Sequence, residues 1–139
     1  MDMETARSLM EDAKTGFLAT TDGSRPSVRP MGGWKWVNDE LWLATGRDSA
    51  KVADIEATGR AEICFMVPDF RHVRIAGPCR ISTDQADKSR LFEMLPILAN
   101  YMAGPEDPKF VVLRLEPDSI RVMGGDDMAY VEVLGGEGG

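Results

Sequence analysis

Residues 62–67, Glu-Ile-Cys-Phe-Met-Val, alternate so that Ile63, Phe65 and Val67 share one face, and this two-residue period returns in short runs along most of the chain. The runs are 17–21, 27–37, 40–44, 62–67, 71–82, 109–116 and 119–123, with Gly, Pro, Asn or Asp at most of their boundaries. Strands this short and mostly in hairpin order make an antiparallel sheet too long to stay flat. The expected fold is mainly β with short helices: six or seven mostly antiparallel strands curled into a small barrel with helices on its edges. Helices alternate with strands too sparsely for a doubly wound parallel sheet, and no glycine-rich dinucleotide fingerprint is present.

The first three runs read as a meander, joined by Asp22-Gly23-Ser24-Arg25-Pro26 and then by Asn38-Asp39. Pro30-Met31-Gly32-Gly33 interrupts the second run, which marks a bulge or the close approach of another surface. Residues 109–116 and 119–123 read as a hairpin across Pro117-Asp118, and 130–134 as a last short strand. Helical spacing predicts a helix over 4–14 (Ala6, Leu9, Met10, Ala13) and another over 49–58 (Val52 and Ile55 inward, Gly59 as the stop). A third is capped by Asp84, carries Leu91, Phe92, Leu95, Leu98 and Ala99, and is broken by Pro96. With 139 residues and 43% hydrophobic content, the chain suits one domain over 1–134, followed by a flexible glycine-rich tail at 135–139.

No apolar run approaches the roughly 20 residues of a membrane span, so a cytoplasmic protein with no membrane partner is expected. A net charge of −7 argues against a general nucleic-acid binder, although a local basic pocket could still take a small anion. Cys64 and Cys79 each sit in a strand and read as buried, reduced thiols. His72 is the only histidine, which excludes a multi-histidine metal site, and no metal is expected. A Cys64–His72 nucleophilic pair lacks any supporting elbow motif, and Trp34, Trp36 and Trp42 suit core or dimer packing better than a ligand pocket.

Two features could hold an anion. Ser49 and Lys51 open the second helix, where unpaired N–H groups carry partial positive charge; the same residues also suit a plain N-cap with a solvated lysine. Arg29 lies mid-strand, where a guanidinium must face solvent, a partner charge or a ligand. Asp48 would repel an anion if it turned inward.

The order of these motifs resembles the pyridoxamine 5'-phosphate oxidase-like, FMN-binding split-barrel superfamily, in particular its general-stress-protein-like branch. The similarity spans roughly residues 5–123: GFLATTDGSRPSVRPM after the first helix, LWLATGRDSAKVADIEATGRAEICF, FRHVRIAGPCRI, and a final LRLEPDSIRV. The resemblance implies a split β-barrel of the FMN-binding type in which Arg29, Ser49 and Lys51 grip the FMN phosphate. It also implies that Pro30, Met31 and Gly32 offer backbone groups to the flavin ring and that Thr45 ends the third strand beside it. His72, in Arg71-His72-Val73, stands where the oxidase has a glutamine. A homodimer with the cofactor at the subunit interface is implied as well. The oxidase's C-terminal arginine-leucine-histidine-aspartate-arginine segment has no counterpart in residues 117–139, so pyridoxamine phosphate oxidation is not expected. The expected function is an FMN-binding oxidoreductase of a small substrate, working with a nicotinamide donor or oxygen. The alternatives are a non-catalytic sensing dimer for flavin, deazaflavin or haem, with His72 as axial ligand, and a structural dimer whose site has decayed.

Overall fold

The computed structural model describes residues 2–135; of the expected tail at 135–139, all but Gly135 lies outside the described residues. The chain runs α1 (Met3–Ala13), β1 (Gly16–Thr21), β2 (Pro26–Met31), β3 (Trp34–Val37), β4 (Glu40–Gly46), α2 (Ala50–Thr58), β5 (Arg60–Met66) and β6 (His72–Ser82). It continues through α3 (Gln85–Met94), a 3-10 turn (Pro96–Asn100), β7 (Phe110–Leu115), β8 (Ser119–Met123) and β9 (Val131–Leu134). The strands form one curled sheet in the order β2-β1-β5-β6-β7-β4-β3, with β8 and β9 added alongside β6, and every pairing is antiparallel. This is the curled antiparallel barrel that the strand pattern predicts, in the split form that the resemblance implies.

Two local expectations are corrected. The run 27–37 is not one strand of a meander: β2 pairs with β1 and β3 pairs with β4, at opposite ends of the sheet order. Gly32 and Gly33 separate them, because bare backbone there lets the chain leave one half of the barrel for the other. This split, with β9 added, gives nine strands among the described residues rather than six or seven. Likewise β7 and β8 do not pair with each other. Both run antiparallel to β6, β7 along Cys79–Ser82 and β8 along His72–Ala76, with Glu116, Pro117 and Asp118 bulging opposite Gly77 and Pro78. Glu116 N still donates to the Pro78 carbonyl at 2.9 Å, and Asp118 N to the Ala76 carbonyl at 2.9 Å, so the ladder is kept on both sides of the bulge.

Beyond these corrections, the alternating pattern fills the interior as read. Leu18, Ile63, Ile75, Leu41, Leu113 and Phe65 are fully buried, and α1 adds Ala6, Leu9 and Met10. Trp34 packs edge-on against Phe65 with ring centroids 4.9 Å apart, and Trp42 belongs to a second cluster with Leu91, Leu98, Phe110 and Val112 under α3. The buried face of α3 includes Lys88 beside Leu91, while Phe92 and Leu95 are only partly covered. Cys79 is buried, and burial pushes its thiol up to about 12; Cys64 is half-exposed rather than buried.

Gly77 is where the bulge crosses β6 most closely: a Cβ there would fall on the Glu116 carbonyl oxygen and lie 2.8 Å from Asp118 N. Gly77→Ala is expected to lower the unfolding free energy by about 2 kcal/mol. In urea denaturation this appears as a lower midpoint at unchanged slope. Gly46→Ala, whose Cβ would meet nothing within 4 Å, is the control and should shift the midpoint little.

Candidate functional site

The register decides where Arg29 points. Arg29 lies opposite Leu18, Leu18 opposite Ile63, Ile63 opposite Ile75, and Ile75 opposite Ile120, so Arg29 closes a row of buried aliphatic side chains on the inward face. As the last member of that row, on edge strand β2, it reaches across β1. Its guanidinium donates to Thr20 Oγ1 at 2.6 Å and to the Leu18 carbonyl at 3.3 Å. Thr20, buried on the same face, in turn donates to Asp54 Oδ2 of α2 at 2.7 Å. Arg29 and Asp54 are 4.0 Å apart at their nearest charged atoms.

Helix α2 begins beside this group. Ser49 is its N-cap, but the Ser49 hydroxyl donates back to the Gly46 carbonyl at 2.8 Å, and no side chain caps the first-turn N–H groups. Lys51, in that first turn, is half-buried, and its pKa is pushed down by burial and, second, by the charge of Arg29. Arg29 therefore meets α2 at Asp54, and Lys51 stands one turn earlier on the same helix face, near enough to feel its charge. Asp48 lines a separate depression with Arg47, Val52 and Glu56, one that includes neither Arg29 nor Lys51.

Gly32 and Thr45 line a second feature, a cavity of about 660 Å³ between the β2–β3 break, the end of β4 and the segment following α3. A Cβ added at Gly32 or Gly46 would meet nothing within 4 Å, and neither glycine has a positive φ. Their backbone faces are thus open to the cavity without any internal demand for glycine. Pro30 shares the outer face with Phe17, whereas Met31 is buried.

His72 does not join this group within one chain. It shares a face with Arg74, which lies opposite Cys64, itself opposite Phe17; that is the outer face of the sheet, away from Arg29. The ring is nonetheless buried, with Nδ1 2.7 Å from the Phe70 carbonyl and Nε2 2.8 Å from the Tyr130 hydroxyl. A carbonyl can only accept, so the neutral ring carries its proton on Nδ1 and its Nε2 lone pair accepts from Tyr130. Cys64 faces Arg74 rather than His72, and burial pushes its thiol pKa up, which leaves no activated thiolate for a Cys64–His72 pair.

A family model described as pyridoxamine 5'-phosphate oxidase matches residues 3–124. The chain belongs to that family. Among its relatives, General stress protein 26 of Bacillus subtilis (strain 168) is 26% identical over 132 residues, covering 90% of each chain. In structure the chain is similar to General Stress Protein 26 of Bacillus anthracis str. Sterne, with a TM-score of 0.76, 24% identity, and coverage of 93% of this chain and 96% of that one. A nimc/nima family protein of Clostridium acetobutylicum superposes with a TM-score of 0.81 at 20% identity, over 94% and 90% of the two chains. A pyridoxamine 5'-phosphate oxidase-related, FMN binding protein of Nostoc punctiforme PCC 73102 gives a TM-score of 0.71 at 19% identity, over 93% of each.

Arg29 and Lys51 could be named from motif order, but Thr20 and Asp54, which the structure joins to Arg29, could not. Thr20 is an inward-facing polar residue in an alternating strand, and Asp54 sits three residues beyond Lys51 on the same helix face; those two signals could have found them. The strain at Lys51 predicts its own signature. A lysine whose folded pKa lies below its unfolded value binds fewer protons when folded, so stability rises with pH through that range. Ligand-free Lys51→Met should be at least as stable to urea as the parent at pH 7 and should flatten the rise toward pH 10. A loss of stability in that variant would mean that Lys51 is already paired.

Proposed function

We propose that the chain is an FMN-binding flavoprotein, an oxidoreductase of a small substrate, with the phosphate seated on Arg29, Lys51 and the open N-terminus of α2. The observation that carries this reading is Arg29 reaching α2 at Asp54, through Thr20, while Lys51 stands in the first turn of the same helix, whose N–H groups no side chain caps. A phosphate there would gain charge-assisted hydrogen bonds worth roughly 1.5–3 kcal/mol each. Ser49 can add its hydroxyl by turning from Gly46. The open backbone at Gly32 and the end of β4 at Thr45 support a flat ring lying at the cavity floor, with Pro30 and Met31 fixing the approach of that backbone. The family match and the FMN binding protein of Nostoc punctiforme, similar in fold, favour flavin as the occupant.

When bound, the flavin supplies hydride or electron transfer, here from a nicotinamide donor or to oxygen. The chain's own residues hold the phosphate and present backbone to the ring. Pyridoxamine phosphate oxidation is not part of this proposal: Arg121 is the sole basic residue of 117–139, and it faces Glu132 at 3.0 Å. An axial-ligand role for His72 toward haem is disfavoured, because Phe70 and Tyr130 occupy both ring nitrogens.

The protein is further proposed to act as a homodimer. Phe17 (48% exposed), Val28 (68%) and Met66 (46%) stand on the outer face that also carries His72, an apolar surface suited to a second copy. In such a dimer His72 could approach the partner's flavin. No helix among the described residues is long and apolar enough to cross a membrane.

Purified protein is expected to be yellow and to release FMN on denaturation. Arg29→Ala combined with Lys51→Ala should leave it colourless while it remains folded by circular dichroism. Val28→Asp should shift the sedimentation coefficient from dimer to monomer. A double variant that retained stoichiometric FMN would remove the phosphate assignment.

A further inference from the structure

We infer that the cavity beside the proposed flavin seat takes a flat aromatic monoanion, held between the apolar wall built around the 3-10 turn and the Lys109 ammonium. This rests on the flavin reading for what covers Gly32 and Thr45, and it names the class of molecule that occupies the remaining space. The cavity measures about 660 Å³, and its wall away from the glycines is formed by Ile97, Leu98, Tyr101, Met102 and Phe110. Leu98 and Phe110 are buried and anchored in the cluster under α3, so the wall is fixed by core packing. Ile97 and Tyr101 are instead 53% and 79% exposed at the mouth, large side chains whose apolar surface faces the space a ligand would fill.

The charges around this wall favour an anion. Asp107 is the acid lining the cavity, and the chain's own backbone already uses its carboxylate: Oδ2 accepts from Ala103 N at 3.0 Å and Oδ1 from Lys109 N at 2.9 Å. Those two bonds hold its pKa down and fold the 103–109 loop around it. Glu106, the other acid of that loop, does not line the cavity. On the positive side, Lys88 is buried behind Phe110, its ammonium donating to the Asp107 carbonyl at 2.9 Å and lying 5.6 Å from the Phe110 ring centre. Lys109 lines the cavity and makes no ion pair or side-chain hydrogen bond among the described residues. The lining thus holds one cation, Lys109, and one acid, Asp107, whose two oxygens are both turned to backbone N–H groups, so an incoming group meets the ammonium rather than the carboxylate. Apolar walls select an organic ring over a hydrated ion, and the single free ammonium selects one negative charge.

The test uses FMN-loaded full-length protein with 2-naphthoate and its neutral isostere naphthalene-2-carboxamide, followed by calorimetry and by the shift of the visible flavin band. Naphthoate should bind more tightly than the amide. Lys109→Met should weaken naphthoate about tenfold while leaving the amide and the FMN content unchanged, and Lys109→Glu should weaken it further. Tyr101→Ala should weaken both ligands. Equal affinity for the two isosteres, or naphthoate binding unaffected in Lys109→Met, would overturn the inference. So would binding only to FMN-free protein with displacement by FMN, since the ring would then fill the cavity itself. Protein that takes up no FMN yet binds naphthoate through Lys109 would uphold the anion cavity and reject the flavin.

Discussion

The placement of Arg29 and Lys51 around the first turns of α2 is the constraint around which the rest of the candidate site is arranged. Two cations brought together in partial burial cost free energy unless an anion or a carboxylate offsets them. Asp54 does so only in part, at 4.0 Å from Arg29, with one oxygen already accepting from Thr20. The arrangement persists because the fold fixes both partners independently. Arg29 is held by the register of β2 on β1, and Lys51 by the packing of Val52 and Ile55 of α2 against the barrel.

The break at Gly32–Gly33 ties that site to the cavity. It sends the chain from the half-barrel containing β1, β5 and β8 to the one containing β3, β4 and β7, and β6 spans both. The proposed phosphate seat therefore draws on β2 and α2, and the apolar wall on the 3-10 turn and the start of β7, with open backbone at Gly32 and Gly46 beside the cavity. Gly77 serves the same architecture at the middle of β6, where the bulge at Glu116–Asp118 must cross close to the strand.

The period-two runs, the caps at Ser49 and Asp84, and the stop at Gly59 were legible because each depends on a few neighbouring residues. The pairing of strands was less so. A continuous run 27–37 and a hairpin at Pro117–Asp118 are both sound local readings, and both fail because register is set by distant partners: β6 offers one long edge that β7 and β8 share. The candidate site divides in the same way. Arg29, Ser49 and Lys51 could be named from motif order, and the structure brings Arg29 to Asp54 of the helix that Ser49 and Lys51 open. Thr20–Asp54 and His72–Tyr130 are contacts across 34 and 58 residues of chain, beyond what local spacing can reveal. Lys88 was hidden for a different reason: a lysine on the buried face of a helix runs against the rule that its charge stays in water, and only the carbonyl of Asp107 explains it.

The most direct measure of the central claim is the difference in affinity between FMN and riboflavin, which share a ring and differ by the phosphate. If Arg29, Lys51 and the α2 N-terminus seat the phosphate, calorimetry on the ligand-free protein should show FMN binding on the order of a hundredfold or more tighter than riboflavin. That gap should collapse in Arg29→Ala with Lys51→Ala while riboflavin affinity stays the same. Equal affinities for the two flavins in the parent protein, or an undiminished gap in the double variant, would contradict the account.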